Sequence, residues 1–205
     1  MVKVKICGIT NTDDAVAAAE SGADAIGLIF VLSPRRVTPT QARNIVSHLP
    51  PDILKIGVFA DHGLTEVKDI MAHCRLDFAQ LHGSESPDYC TALGNQAIKA
   101  FRIKDESILQ SIRQYHTCAY LLDSYSPDAA GGTGCTFNWD IAVRAKEFGK
   151  IILSGGLTPE NVAEAIARVQ PAAVDVSSGI ESSPGKKDHD KLRAFIDAAK
   201  SENPK

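Results

Sequence analysis

Strand-like and helix-like segments alternate along the whole of this 205-residue chain, and that beat limits the possible folds more than any other feature. Short runs rich in Val, Ile, Leu and Phe suit strands buried on both faces. They fall at Val2 to Cys7, Asp24 to Phe30, Ile53 to Phe59, Asp77 to Leu81, Gln96 to Phe101, Ala119 to Asp123, Lys150 to Leu153 and Ala172 to Val176. Helical stretches lie between and after them: Asp13 to Ser21, a segment opened by Thr38-Pro39, Leu64 to Cys74, Pro87 to Leu93, Glu106 to Tyr115, Trp139 to Phe148, a segment opened by Thr158-Pro159-Glu160, and Lys187 to Lys200. Asn11 or Thr12 can cap the first helix, and a Thr-Pro pair supplies a cap and a first-turn proline. A strand followed by a helix, repeated about eight times, predicts parallel strands joined by crossovers. The expectation is an α/β protein, one (β/α)8 barrel of the TIM type forming a single domain over residues 1–205. An open doubly wound sheet is the competing arrangement, but no Gly-x-Gly-x-x-Gly follows the first strand.

Composition removes several classes of function. Net charge is −3 and pI about 6.1, so no basic field calls for nucleic acid or anionic lipid. No apolar run approaches the roughly 20 residues of a membrane span. The chain starts on a strand rather than a signal peptide, and a cytoplasmic location is the expectation. Five cysteines, Cys7, Cys74, Cys90, Cys118 and Cys135, are scattered without metal-site spacing, and no resolving partner supports a thiol redox role. The exposed loops suit a monomer or a homodimer.

In a barrel, chemistry collects at the C-terminal ends of the strands and in the loops that follow. The opening strand breaks the apolar rule there. Val2, Val4 and Ile6 share one parity; Lys3, Lys5 and Cys7 share the other, and would face something polar before the chain turns at Gly8. Lys5 precedes Cys7 by two residues, about 6.6 Å along a strand, so its cation would lower the thiol's pKa and make a base or nucleophile. Asp123 ends an apolar strand, where a carboxylate needs a reason to be. The plain alternatives are an inert core cysteine and a capping aspartate. Ser154-Gly155-Gly156 and Ser177-Ser178-Gly179 follow the seventh and eighth strands, where glycine-rich turns bind phosphate in many barrels, although each also reads as a tight turn. Arg35, in Ser33-Pro34-Arg35, suits a carboxylate ligand or a solvated surface. His82, before Gly83, is a substrate contact or a structural histidine. Parity turns Asp175 inward, and barrel closure predicts that it meets Lys5.

At these residues the sequence resembles the phosphoribosylanthranilate isomerases of tryptophan biosynthesis. The resemblance is carried by Lys5-Ile6-Cys7-Gly8-Ile9-Thr10, Ser33-Pro34-Arg35, Gln80-Leu81-His82-Gly83, Leu121-Leu122-Asp123, Gly131-Gly132-Thr133-Gly134, Leu153-Ser154-Gly155-Gly156-Leu157, Asp175-Val176-Ser177-Ser178-Gly179-Ile180-Glu181 and Pro184-Gly185-Lys186-Lys187-Asp188. It departs at Cys135, where the family often has lysine, and in a loop one residue short before Ser33. The resemblance implies an Amadori rearrangement of a phosphorylated ribosyl anthranilate, with no metal or organic cofactor. Cys7 would be the general base and Asp123 the general acid. Arg35 would hold the anthranilate carboxylate, and Gly155, Gly156, Ser177, Ser178 and Gly179 the phosphate, with His82, Gly132 and Asp175 also on the substrate. Other sugar-phosphate barrel isomerases, and a non-catalytic sugar-phosphate binder, are the rival readings; only the enzyme needs both Cys7 and Asp123.

Overall fold

A computed structural model describes residues 1–124 and 138–201. Eight parallel strands close into a barrel in the order of the chain: β1 (Lys3–Cys7), β2 (Ala25–Ile29), β3 (Leu54–Phe59), β4 (Phe78–Leu81), β5 (Ala97–Ile103), β6 (Ala119–Ser124), β7 (Ile151–Leu153) and β8 (Ala173–Val176). Each is followed by a helix: α1 (Thr12–Glu20), α2 (Pro39–Ser47), α3 (Leu64–Cys74), α4 (Pro87–Leu93), α5 (Ile108–Ile112), α6 (Trp139–Ala145), α7 (Val162–Val169) and α8 (His189–Ser201). The expected barrel is therefore present and the open sheet is not. Gly132 and Cys135 lie outside the described residues.

Local chemistry sets the helix starts. Asn11 accepts the Asp14 N–H to open α1, and Thr38 with Gln41 forms a reciprocal capping box ahead of Pro39 in α2. The second Thr-Pro signal misleads. The N–H of Thr158 donates to the Asn161 side chain in a turn, and α7 begins only at Val162. The end of the chain differs as well. An antiparallel hairpin, β9 (Glu181–Ser183) and β10 (Lys186–Lys187), occupies the segment before α8, so Lys187 belongs to a strand rather than to the helix, with its side chain buried.

The strand pleat divides the core in two. One set of side chains, including Val4, Ile6, Leu122 and Leu153, packs against helix residues such as Ala15, Ala18, Leu192 and Phe195. The other set, Ala25, Ile56, Ile98, Ala100, Leu121 and Ile152, fills the barrel itself. Closure pairs β1 with β8 and sets Lys5 opposite Asp175. Lys5 Nζ stands 2.7 Å from Asp175 Oδ1, as barrel closure predicts, and Ser154 Oγ donates to Asp175 Oδ2 at 3.1 Å. Burial pulls the Lys5 ammonium toward neutrality, but Asp175, helped by Cys7, holds it above its usual pKa. Removing one member of such a pair strands a buried charge. Asp175→Leu is expected to lose about 3–5 kcal/mol in urea unfolding, whereas Lys5→Met/Asp175→Leu recovers most of that loss. Equal losses in the single and double variants would show that the two side chains do not act as a unit.

Candidate active site

The next inward positions, beyond the filled interior, open into one cavity of about 370 Å³ at the C-terminal end of the barrel. Ile98 and Ala100 on β5 are followed in parity by Arg102, and Leu121 on β6 by Asp123. Cys7, Arg35, His82, Asp123, Gly155, Gly156, Asp175, Ser177, Ser178 and Gly179 all border this cavity. Of the site residues expected from the sequence, only Gly132 has no place in it, because it lies outside the described residues.

Cys7 ends β1 with 6% exposure. Its register partner on β2 is Gly27, where a Cβ would come within 2.7 Å of the sulfur and 3.0 Å of Lys5 Nζ. A glycine is needed there for space. Burial pushes the Cys7 thiol above its ordinary pKa; Lys5 pulls it down, Asp175 adds to the upward push, and Lys187 is a weaker downward influence. Lys5 lowers the value as expected, but burial outweighs it and the net direction is upward, which corrects the expectation of a lowered thiol pKa. The lysine's charge is already answered by Asp175, so the resting group is a thiol.

Asp123 lies on the other side of the cavity. Its Oδ1 accepts the Ser124 N–H at 2.9 Å, and its Oδ2 is 3.5 Å from His82 Nε2. The Gln80 side-chain amide lies 3.3 Å from His82 Nδ1; donation there leaves the Nε2–H directed toward Asp123. His82 therefore stands beside Asp123.

The loops after β7 and β8 meet at one corner of the cavity. Gly155 and Gly156 have φ of +84° and +68°, a region that disfavours any residue with a Cβ. A Cβ on Gly155 would also strike Ser124, and one on Gly179 would strike the Leu157 carbonyl, so the two loops are held close together. Among the described residues, no protein acceptor takes the N–H of Gly155 or Gly156. Ser178–Ile180 forms a short 3₁₀ turn whose first N–H groups have no partner within it. The Ser177 hydroxyl is buried without a partner. Together these supply neutral donors suited to a phosphoryl group.

Arg35, in the loop after β2, donates through Nε and Nη2 to Glu181 at 2.8 and 2.7 Å. Glu181 also receives Lys187 Nζ at 3.0 Å. Sequence reasoning gave no role to Glu181, Lys187, Gly27 or Arg102, although Glu181 and Lys187 stand in the motifs that carry the resemblance and Arg102 at a strand end. Only the Pro184-Gly185 turn hinted at the hairpin that carries the first two.

Comparison with known proteins agrees along the whole chain. A family model described as PRAI, N-(5'phosphoribosyl)anthranilate (PRA) isomerase, matches residues 4–198. A protein of Geobacter sulfurreducens named N-(5'-phosphoribosyl)anthranilate isomerase is 56% identical over 201 residues, covering 98% of this chain and 99% of that one. The crystal structure of phosphoribosyl anthranilate isomerase from Thermotoga maritima superposes with a TM-score of 0.91 at 41% identity, covering 98% of this chain and 100% of the other. A further isomerase structure, in complex with reduced 1-(o-carboxyphenylamino)-1-deoxyribulose 5-phosphate, has a TM-score of 0.87 at 39% identity over the same shares.

The electrostatics of Cys7 have a direct readout. Its alkylation by iodoacetamide, followed by peptide mass spectrometry, is expected to accelerate with pH and still be rising at 9.0, the ordinary value for the thiol. A plateau reached below that value would mean that the neighbouring cations win.

Proposed function

Because the chain belongs to the N-(5'-phosphoribosyl)anthranilate isomerase family, we propose that this cavity converts N-(5'-phosphoribosyl)anthranilate into 1-(2-carboxyphenylamino)-1-deoxyribulose 5-phosphate in tryptophan biosynthesis, with Cys7 as general base and Asp123 as general acid. The observation that carries the assignment of roles is that a thiol on β1 and a carboxyl on β6 border one cavity together with two anion-binding loops. In this reading Gly155, Gly156, Ser177, Ser178 and Gly179 hold the phosphate. Arg35 holds the anthranilate carboxylate, and His82 contacts the sugar side of the substrate. Asp175, paired with Lys5 beneath Cys7, borders the cavity and meets the substrate there.

Asp123, carrying its proton, delivers it to the ribose ring oxygen. The C1–O bond breaks and the nitrogen lone pair closes an iminium. That cation acidifies the C2 proton; Cys7, its own thiol proton first released to solvent, removes it as the thiolate, and the C2–H electrons shift toward nitrogen to give an enolamine. Reprotonation at C1 and loss of the enol proton give the ketone. C1 is reduced as C2 is oxidised, so no outside oxidant or reductant enters the balance. The raised thiol pKa fits this order of events: the iminium supplies the positive charge that a thiolate needs, at the moment a base is required. We place the enzyme in the cytoplasm, where its free thiols Cys7, Cys74, Cys90 and Cys118 would stay reduced.

Turnover of N-(5'-phosphoribosyl)anthranilate, read as loss of fluorescence, tests the roles. Cys7→Ser and Asp123→Asn are each expected to lower kcat about 10²–10⁴-fold, while the reduced product analogue still binds with the parent affinity. A Cys7→Ser variant that turns over at the parent rate would remove the base assignment. If Asp123→Asn loses affinity but keeps turnover of bound substrate, that carboxyl positions the substrate rather than protonating it.

A further inference from the structure

The guanidinium of Arg35 is not free to move. Glu181 grips its Nε/Nη2 edge from the β9 strand at 2.8 and 2.7 Å, and both side chains are largely buried, at 16% and 6% exposure. The aliphatic stem lies over Gly8, where a Cβ would come within 2.7 Å of Arg35 Cδ. Glu181 Oε1 also accepts Lys187 Nζ at 3.0 Å and the Gly185 N–H at 3.3 Å. Lys187, with a fully buried side chain, donates to the Ser177 carbonyl at 3.1 Å as well, tying the cluster to the loop after β8.

A guanidinium has two edges that can receive a carboxylate. Glu181 occupies one, and the Nη1/Nη2 edge remains for a ligand. Arg35 and Glu181 alone would be a neutral pair with little attraction for a second anion. Lys187 restores one positive charge, so a substrate carboxylate would complete the cluster to neutrality rather than overload it with negative charge. We propose that Glu181, backed by Lys187, is a positioning residue that presents the open edge of Arg35 to the substrate carboxylate. This deepens the function proposed above and rests on its assignment of Arg35.

The test compares N-(5'-phosphoribosyl)anthranilate with N-(5'-phosphoribosyl)aniline, the same molecule without its carboxylate, under steady-state conditions. Glu181→Gln is expected to raise KM for the carboxylated substrate on the order of tenfold. It should change kcat less than about twofold and leave the aniline compound's KM near the parent value. Arg35→Ala should discriminate in the same way, and adding Glu181→Gln to it should cost nothing further. Because Glu181→Gln strands the buried Lys187, Glu181→Gln/Lys187→Met serves as a second variant without that charge, and it should show the same selective rise. Arg35→Lys leaves both partners in place but lacks the fork, and should fail to restore the parent KM. Selective loss in Arg35→Ala with parent KM in both Glu181 variants would overturn the role of Glu181 while sparing that of Arg35. Equal effects of Arg35→Ala on the two substrates would instead sink the carboxylate assignment itself. Equal effects of the Glu181 variants on both compounds would reduce Glu181 to a structural part, and full rescue by Arg35→Lys would exclude the two-edged guanidinium.

Discussion

The ammonium of Lys5 and the carboxylate of Asp175, 2.7 Å apart inside the barrel, join the first strand to the last. Two charges cost several kcal/mol each to take out of water, and an apolar pair of the same volume would close the sheet at least as well. The polar solution is explained by its position. The pair lies in the wall directly below Cys7, and Gly27 opposite gives both Lys5 and the sulfur room to face inward. The barrel thus carries a polar ceiling over an apolar plug of Ile56, Ile98, Ala100, Leu121 and Ile152. Because the pair is internally neutral, the thiol above it is governed by burial rather than by a spare cation. A nucleophile held as a permanent thiolate would be open to oxidation and alkylation. A buried thiol that ionises against a substrate cation is reactive only when occupied.

Charge elsewhere in the site follows a similar economy. The chain as a whole is slightly acidic, yet in the proposed reading the cavity receives a phosphate and a carboxylate. At the corner proposed for the phosphate the donors are neutral: the N–H groups of the Gly155-Gly156 turn, the first turn after Ser177, and the Ser177 hydroxyl. Such donors do not titrate, so they leave the proposed acid and base beside them undisturbed. In the proposed carboxylate subsite, formal charge is gathered in the Arg35, Glu181 and Lys187 cluster, where a planar carboxylate can be met by a planar fork. Burial works on that cluster in both directions. It penalises the Glu181 carboxylate, which its two cationic partners nevertheless hold below the ordinary range, and it leaves Lys187 below its own.

Much of this could be read from the residues because strand parity is so regular. Period-two alternation put Cys7 and Asp175 on the inner face, a carboxylate at the end of an apolar strand marked Asp123, and closure alone put Asp175 beside Lys5. What could not be read depends on partners far apart in sequence or on the balance of opposing forces. Glu181 and Arg35 are separated by 146 positions, and a short polar hairpin such as Glu181 to Lys187 carries no apolar period to reveal it. Thr158-Pro159 has the composition of a helix start, but Asn161 captures the Thr158 N–H and delays the helix by a turn. The thiol illustrates the second kind of failure. Lys5 was identified correctly as its neighbour, but the sign of the shift depends on how much water the fold removes.

Strand order gives the proposed chemistry its geometry. Around the closed ring, the short path from β1 to β6 runs through β8 and β7, the two strands whose loops carry the phosphate donors. A ribose 5-phosphate anchored at that corner therefore has the thiol of β1 on one flank and the carboxyl of β6 on the other. Arg35 comes from the loop after β2, on the far side of β1 from the phosphate corner. A substrate fixed at its phosphate and its carboxylate would then pass its C1–C2 bond between the base and the acid. Both anchors are remote from the bond that changes, so their binding energy is available to orient the sugar rather than to stabilise one protonation state of it. Tethering Arg35 through Glu181 to the segment that follows β8 makes the two anchors parts of one rigid unit. The distance between them, and with it the placement of the sugar between Cys7 and Asp123, is then set by the barrel rather than by a mobile loop.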